Sequence, residues 1–120
     1  MNIPWVDLAA QHRDLRNEIN AAIQGVLDRA DFILGQEVAR FEEEFAAYCG
    51  VRYAVGVDSG LSALELSLRA FDVGPGDEVI VPTHTFTATA AAVTFAGASP
   101  VFVDADPETW TIDAKKIEAA

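Results

Sequence analysis

The fold is decided by a stretch that begins with Tyr53-Ala54-Val55-Gly56-Val57 and continues with Asp58-Ser59-Gly60-Leu61-Ser62-Ala63-Leu64. Its first five residues are mostly apolar and β-prone, and a Ser-Gly pair follows almost at once. This order predicts a short strand that runs directly into a helix, and the apolar spacing after Gly60 continues that helix to Ala70 with a broad buried face. Strands that alternate with helices are typical of α/β domains.

Two further strands follow along the chain. Gly74-Pro75-Gly76-Asp77 is a turn, and residues 78–81 form a near-continuous apolar run, as in a parallel strand covered on both faces. The alanine-rich residues 88–96 predict a helix, and residues 100–104 predict the next strand. Three strands separated by helices predict right-handed parallel crossovers. The expected fold class is therefore α/β, a mainly parallel sheet with flanking helices.

The first fifty residues predict two helices. The first carries one apolar stripe between Leu15 and Leu27 and ends near Arg29, and Gly50 is the expected end of the second. We expect Cys49, beside the apolar stripe of the second helix, to be a buried and inert thiol. That stripe is Val38, Phe41, Phe45 and Tyr48, and the acidic run Glu42-Glu43-Glu44 is expected to be a solvated face.

Domain boundaries follow from this organisation. We place an N-terminal helical arm at residues 1–35 and an incomplete α/β domain at residues 36–120. Asp113 is the expected N-cap of a last helix that stops at Ala120 after about two turns. A small sheet with so short a final helix predicts that the chain is the N-terminal portion of a larger protein.

Amino-acid composition excludes several classes of binding partner and site. The net charge of −11, from 19 acidic and 8 basic residues, disfavours nucleic acid and anionic lipid surfaces. A single cysteine excludes an internal disulfide and a multi-thiolate metal site. The N-terminus has no signal-peptide pattern, so a cytoplasmic location is expected. The uncharged stretch 79–103 is interrupted by Pro82, Gly97 and Pro100, which favours a buried β-α-β passage over a membrane helix.

The start of the helix at Gly60 is a candidate phosphate site. A helix N-terminus offers unpaired backbone N–H groups and a positive dipole end, and a glycine lets an anion approach the backbone closely. Ser59 and Gly60 also suit helix capping alone, so this motif by itself leaves both interpretations open. The chain has neither the P-loop nor the dinucleotide glycine pattern, which favours a smaller phosphorylated ligand.

Phe86 follows the second predicted strand, at the same sheet edge as Ser59-Gly60. Open α/β sheets bind their ligands at the carboxyl ends of their strands, so a flat ligand could stack on this ring, although a packing role is the alternative. We assign no catalytic role to His84 and interpret it as a structural residue. Lys115 and Lys116 are interpreted as solvent-facing charges.

Over essentially all 120 residues the sequence resembles the DegT/DnrJ/StrS family of sugar aminotransferases, pyridoxal-phosphate (PLP) enzymes of the aspartate-aminotransferase fold. The resemblance is carried by the order and spacing of several motifs. They are Pro4-Trp5-Val6-Asp7-Leu8, Phe32-Ile33-Leu34-Gly35, Phe41-Glu42-Glu43-Glu44-Phe45-Ala46, Ser59-Gly60 with Ala63-Leu64, Gly74-Pro75-Gly76-Asp77-Glu78-Val79-Ile80, Thr85-Phe86 and Pro100-Val101-Phe102-Val103-Asp104.

The resemblance implies cofactor-binding roles for four residues. Gly60, Leu61 and Ser62 would hold the PLP phosphate, and Phe86 would stack on the pyridine ring. The family usually has threonine where this chain has Leu61, so contact there must come from the backbone N–H, with Ser62 as a possible substitute. Some members that aminate 3-keto sugars are similar in having Gly-Leu at this point, which hints at that branch.

The implied function is transfer of an amino group from glutamate or glutamine to a nucleotide-linked keto sugar, in a homodimer. No catalytic residue is assigned within residues 1–120, because the family's Schiff-base lysine lies downstream of the matched region. Two alternatives stay open. One is a sugar dehydratase of the same fold, in which histidine replaces that lysine, and the other is a truncated, non-catalytic domain that binds phosphorylated ligands or a partner subunit.

Overall fold

The computed structural model describes residues 5–120. Contacts within the chain divide it into two compact units, one that ends at Gly56 and one that begins at Val57. Each unit has its own helices, and the parallel strand pair lies in the second.

The described part of the first unit, residues 5–56, contains two helices, α1 (Leu8–Arg29) and α2 (Gln36–Cys49). The Asp7 carboxylate caps α1 by accepting a hydrogen bond from the Ala10 amide at 2.9 Å. The predicted ends of both helices are confirmed, since α1 stops at Arg29 and Gly50 closes α2 with a left-handed φ of 67°. Arg29 joins the helices by donating to Glu37 across 2.7 Å.

For α2, the expectation of a buried thiol is wrong, and the expectation of a solvated acidic face holds for Glu43 and Glu44 but not for Glu42. Cys49 is exposed, because the aromatic stripe beside it is itself largely uncovered in the described structure. Glu42 is not merely a solvated charge, because its carboxylate accepts the Gly56 amide at 2.7 Å. Burial of a helix face depends on what packs against it, and the periodicity of the sequence does not contain that information.

The predicted strand at residues 53–57 is also wrong for the structure described here, where these residues form no ladder. A strand needs a neighbour to accept and donate its backbone hydrogen bonds. The Gly56 amide instead bonds to the Glu42 side chain. Residues 53–57 have a β-prone composition, but composition alone does not provide the neighbouring strand that a ladder requires.

The second unit is built around a strand-helix-strand core. It contains α3 (Gly60–Ala70), β1 (Glu78–Pro82), α4 (Ala88–Ala96) and β2 (Ser99–Val103). The strands are parallel and in register from Glu78 with Ser99 to Pro82 with Val103. Helices α3 and α4 pack against each other. The core consists of Val81, Val93 and Ala98, against which Leu68, Val73 and Val79 are packed.

This unit confirms the α/β prediction and corrects three details. Ile80 remains 42% exposed, so β1 is not covered on both faces. Among its described residues α3 has none that is fully buried, so its face is only half-covered. The last helix is a 3₁₀ helix at Ala114–Ala119, although Asp113 caps it as predicted by accepting the Lys115 amide at 3.0 Å.

Across residues 5–120, none of the helices combines the length and the apolar character that crossing a membrane would require. The uncharged stretch 79–103 is the passage β1-α4-β2, as the sequence predicts.

Candidate functional site

The first turn of α3 presents two open backbone amides. Ser59 is the N-cap, and its hydroxyl oxygen accepts the Ser62 amide at 3.1 Å. The amides of Gly60 and Leu61 have no acceptor within residues 5–120. The capping interpretation is therefore correct for Ser59, and it leaves two donors available for an anion.

Space at this turn also suits a ligand. A Cβ atom built on Gly60 would meet no atom within 4 Å, so the glycine is not there to relieve a clash within the chain. Ser62 has its amide occupied by Ser59, and its hydroxyl lies 3.0 Å from the Ser59 hydroxyl. Ser62 can therefore contribute to a bound phosphate only through its hydroxyl group. The residues present thus fit a phosphate at Gly60 and Leu61.

Phe86 lies in the segment that connects β1 to α4, and 81% of the residue is exposed. The packing alternative does not hold for this ring in the described structure. An exposed aromatic face next to a strand end can stack on a flat heterocycle. Phe86 thus fits a ring, while Gly60 and Leu61 fit a phosphate.

The four residues implied by the resemblance form two groups. Gly60, Leu61 and Ser62 share one helical turn, whereas Phe86 precedes α4, the helix that packs against α3. Within the described chain no hydrogen bond joins the two groups. A ligand that contacts both would bridge them.

Two polar residues that the sequence analysis did not single out, Thr83 and Asp104, directly follow the carboxyl ends of β1 and β2. The Thr83 amide donates to the Val103 carbonyl at 2.9 Å, and the Thr83 hydroxyl lies 3.4 Å from the Asp104 carboxylate. Lys116 donates to the other Asp104 oxygen at 3.2 Å while about half of its side chain, 51%, stays exposed, so it is solvent-facing as interpreted and also forms a surface ion pair. The position of Thr83 and Asp104 directly after two strands was the signal that could have found them.

Two hydrogen bonds hold the pKa of Asp104 below its ordinary value, the larger effect coming from the Lys116 ammonium and the next from the Ala105 amide. The amides of Thr109 and Glu108 do the same for the pKa of Asp106. Both carboxylates are therefore stabilised in the charged form, which suits them to fix the loop after β2 and not to exchange protons near neutral pH.

The loop after β2 ends beside His84. The centroids of the Trp110 and His84 rings lie 5.4 Å apart at an interplanar angle of 55°. Both residues line an open cavity of about 420 Å³ together with Thr83, Asp104 and Asp106. His84 thus has a structural partner, in line with its interpretation, but Trp110 carried no signal in the sequence that would have identified it.

Comparison with known proteins places the chain in a class, the sugar aminotransferases. Residues 13–120 match the model of the DegT/DnrJ/EryC1/StrS aminotransferase family. The chain belongs to this family, and the resemblance noted from the sequence is confirmed.

Individual relatives agree with this assignment. The chain is 52% identical over 118 residues to the UDP-N-acetyl-3-dehydro-α-D-glucosamine 3-aminotransferase of Acidithiobacillus ferrooxidans, a match that covers 98% of this chain and 32% of the relative. It is 41% identical to a DegT/DnrJ/EryC1/StrS aminotransferase from Brucella abortus, with a TM-score of 0.93 over 99% of this chain and 32% of that one.

A structure with bound cofactor is also similar. NtdA from Bacillus subtilis, with bound cofactor PMP, superposes with a TM-score of 0.91 at 34% identity, over 99% of this chain and 28% of that one. The aminotransferase fold expected from the sequence is therefore confirmed. The chain spans about a third of the length of the relatives it matches.

Proposed function

We propose that this chain forms the N-terminal portion of a PLP-dependent aminotransferase that moves an amino group from glutamate or glutamine to a nucleotide-linked keto sugar. The observation that carries the proposal is the pair of open amides at Gly60 and Leu61 in the same compact unit as the exposed ring of Phe86. Family membership supports it, as does the NtdA structure with bound PMP, which is the amino form of PLP.

Gly60 and Leu61 bind the cofactor phosphate in this proposal. Their amides donate no hydrogen bond within residues 5–120, and the dipole of the eleven-residue helix α3 adds a partial positive charge at its start. Ser59 is a structural contributor, since its hydroxyl holds the Ser62 amide and so fixes the turn. The loss of the family's threonine at Leu61 removes a hydroxyl contact but leaves both amides in place.

Phe86 orients the pyridine ring by stacking. The segment before α4 holds the residue by its backbone, since the Phe86 carbonyl accepts the Thr89 amide at 3.0 Å. Bound PLP would supply an electron sink for the exchange of the amino group. In that reaction these residues bind and orient, and they move no proton.

The substrate class is proposed from the relatives. The Acidithiobacillus enzyme is by its name a 3-aminotransferase of a UDP-linked 3-dehydro sugar, and the Gly60-Leu61 pair is similar to that branch. We therefore favour a 3-keto sugar as the acceptor. The dehydratase alternative is not favoured, because the relatives described above are aminotransferases by name.

Cofactor binding by the chain tests this proposal. Pyridoxine 5′-phosphate is the suitable probe, because it has the ring and the phosphate but no aldehyde to react with lysines. We expect Phe86→Ala to weaken its binding by about fivefold or more, which corresponds to about 1 kcal/mol of lost stacking and burial.

Phe71→Ala is the matched control, because Phe71 is 83% exposed in the same unit and has no proposed ligand. Equal affinity of the wild-type chain and Phe86→Ala would refute the stacking role. Amino transfer itself is measured with the protein that contains this chain, UDP- or dTDP-linked 3-keto sugar and glutamate.

A further inference from the structure

The orientation of Phe86 must come from its neighbours along the chain. Its side chain is largely exposed, so packing around the ring does not fix it. A ring that stacks on a ligand gains affinity when it is held in the bound orientation beforehand. The contacts that hold residues 83–87 therefore decide how well Phe86 is presented.

Hydrogen bonds hold this segment on both sides of His84. Thr83 is tied to the end of β2 through its amide and the Val103 carbonyl, 2.9 Å apart. Thr85 is tied to α4 through its hydroxyl, which lies 2.9 Å from the Thr89 hydroxyl. Between these two fixed points, His84 is held by a different contact, the ring of Trp110.

Trp110 lies in a loop, residues 105–112, whose own hydrogen bonds fix its backbone. Its amide donates to the Asp106 carbonyl at 2.8 Å, and the Asp106 amide donates to the Thr111 carbonyl at 2.8 Å. An antiparallel bridge between Ala105 and Ile112 closes the base of the loop. The ion pair of Lys116 with Asp104 fastens the following helix to the end of β2.

The backbone of Trp110 is also unusual. Its φ of 59° lies in the left-handed region, which is costly for a residue with a bulky side chain. Such strain persists where the surrounding contacts impose it, and it is often found at sites with a function. Here the strained residue is the one whose ring meets His84.

We propose that Trp110 is a positioning residue that acts through His84 to hold residues 83–87 in the conformation that presents the Phe86 ring to the cofactor. This inference rests on the proposed function of Phe86. Trp110 itself need not touch the ligand. Its removal frees His84 and lets Phe86 sample other orientations.

A fluorine label on Phe86 tests this in the absence of ligand. The full chain is prepared with 4-fluorophenylalanine at position 86 and studied by ¹⁹F NMR. We expect the wild-type resonance to shift or broaden in Trp110→Ala and, in the same way, in His84→Ala. Trp110→Phe should restore the wild-type signal, and Trp5→Ala, an exposed tryptophan of the first unit, should not alter it.

Binding of pyridoxine 5′-phosphate is the second measurement. We expect Trp110→Ala to weaken it by about threefold to tenfold, the range for loss of one aromatic pair. The double variant His84→Ala/Trp110→Ala should bind no more weakly than either single variant, because the two residues act as one contact. Additive losses would overturn the inference.

The outcomes separate this inference from the proposed function. Binding that is lost in Phe86→Ala but unchanged in Trp110→Ala, with an unchanged fluorine signal, refutes the positioning role alone. No binding by the wild-type chain, with a fluorine signal that depends on Trp110, refutes the cofactor site and with it the presentation of Phe86 to a cofactor, while the hold of Trp110 on residues 83–87 is upheld. If Trp110→Ala fails to fold, His84→Ala carries the same test because it removes the other ring.

Discussion

Gly60 offers a way to separate ligand binding from folding. In most proteins a glycine at a helix start is hard to interpret, because the added Cβ of an alanine disturbs the fold and the ligand together. Here the space around a Cβ at Gly60 is open to 4 Å, and Gly60 is not among the residues with a positive φ. We therefore expect Gly60→Ala to fold normally and to bind a phosphate less tightly.

The expected stability change can be worked out from the helix. Alanine is favoured over glycine in a helix by about 0.5–1 kcal/mol, and the first turn of α3 should show the lower end of this range. A gain of about 0.5 kcal/mol raises the melting temperature of a domain of this size by roughly 2–4 °C. The substitution keeps both amides, so the expected weakening comes from the added Cβ, which holds the phosphate away from them; losing one amide contact costs about 1.5 kcal/mol or more, which is about tenfold in affinity.

The assay combines thermal melting with titration of pyridoxine 5′-phosphate on the same preparation. The expected result is a melting temperature equal to or above that of the wild type, together with about tenfold weaker binding. Gly25→Ala, near the C-terminal end of α1, is the control that changes a helical glycine in the first unit. Unchanged affinity in Gly60→Ala would refute the phosphate site, and a lower melting temperature would refute the reasoning about open space.

Three further predictions concern acid, covalent chemistry and assembly. The pKa of Asp104 is lowered in the folded chain by Lys116 and the Ala105 amide. The stability that this carboxylate contributes is therefore present above its ordinary pKa of 3.8 and is lost as the pH falls through the folded value. Melting temperatures should be level from about pH 5 to 7 and fall below about pH 4, and the fall should be less steep in Asp104→Asn. Borohydride reduction of the chain with PLP should give no stoichiometric adduct at Lys115 or Lys116, as peptide mass mapping would show. Light scattering should find self-association at micromolar concentration, because Phe32, Ile33 and Leu34 are exposed; a sharply melting, strictly monomeric chain would contradict this.

Local signals in the sequence were enough to place much of the fold. Gly50, Ser59 and Asp113 act at helix ends as their residue types predict, because capping involves only a few neighbouring atoms. The passage 79–103 could also be predicted, since its two strands pair with each other and its helix lies between them within a short stretch of chain.

Features that depend on partners distant in the sequence could not be predicted from it. Residues 53–57 have a strand's composition but no neighbouring strand in the described chain, and Cys49 lies beside an apolar stripe that is largely uncovered there. The contact of Trp110 with His84 depends on a left-handed residue in a loop, for which the sequence has no glycine as a marker. For the candidate site, the sequence predicted the residues that would meet a ligand but not the residues that hold them.

The strand pairing has a consequence for how the protein folds. Every residue of β1 pairs with the residue 21 positions further along, from Glu78 with Ser99 to Pro82 with Val103. Closing so short a loop is fast and has a small entropic cost compared with pairing distant segments. The pairing of β1 with β2 therefore needs no segment outside residues 78–103. The segment that carries Phe86 lies inside this loop and is enclosed when the two strands pair.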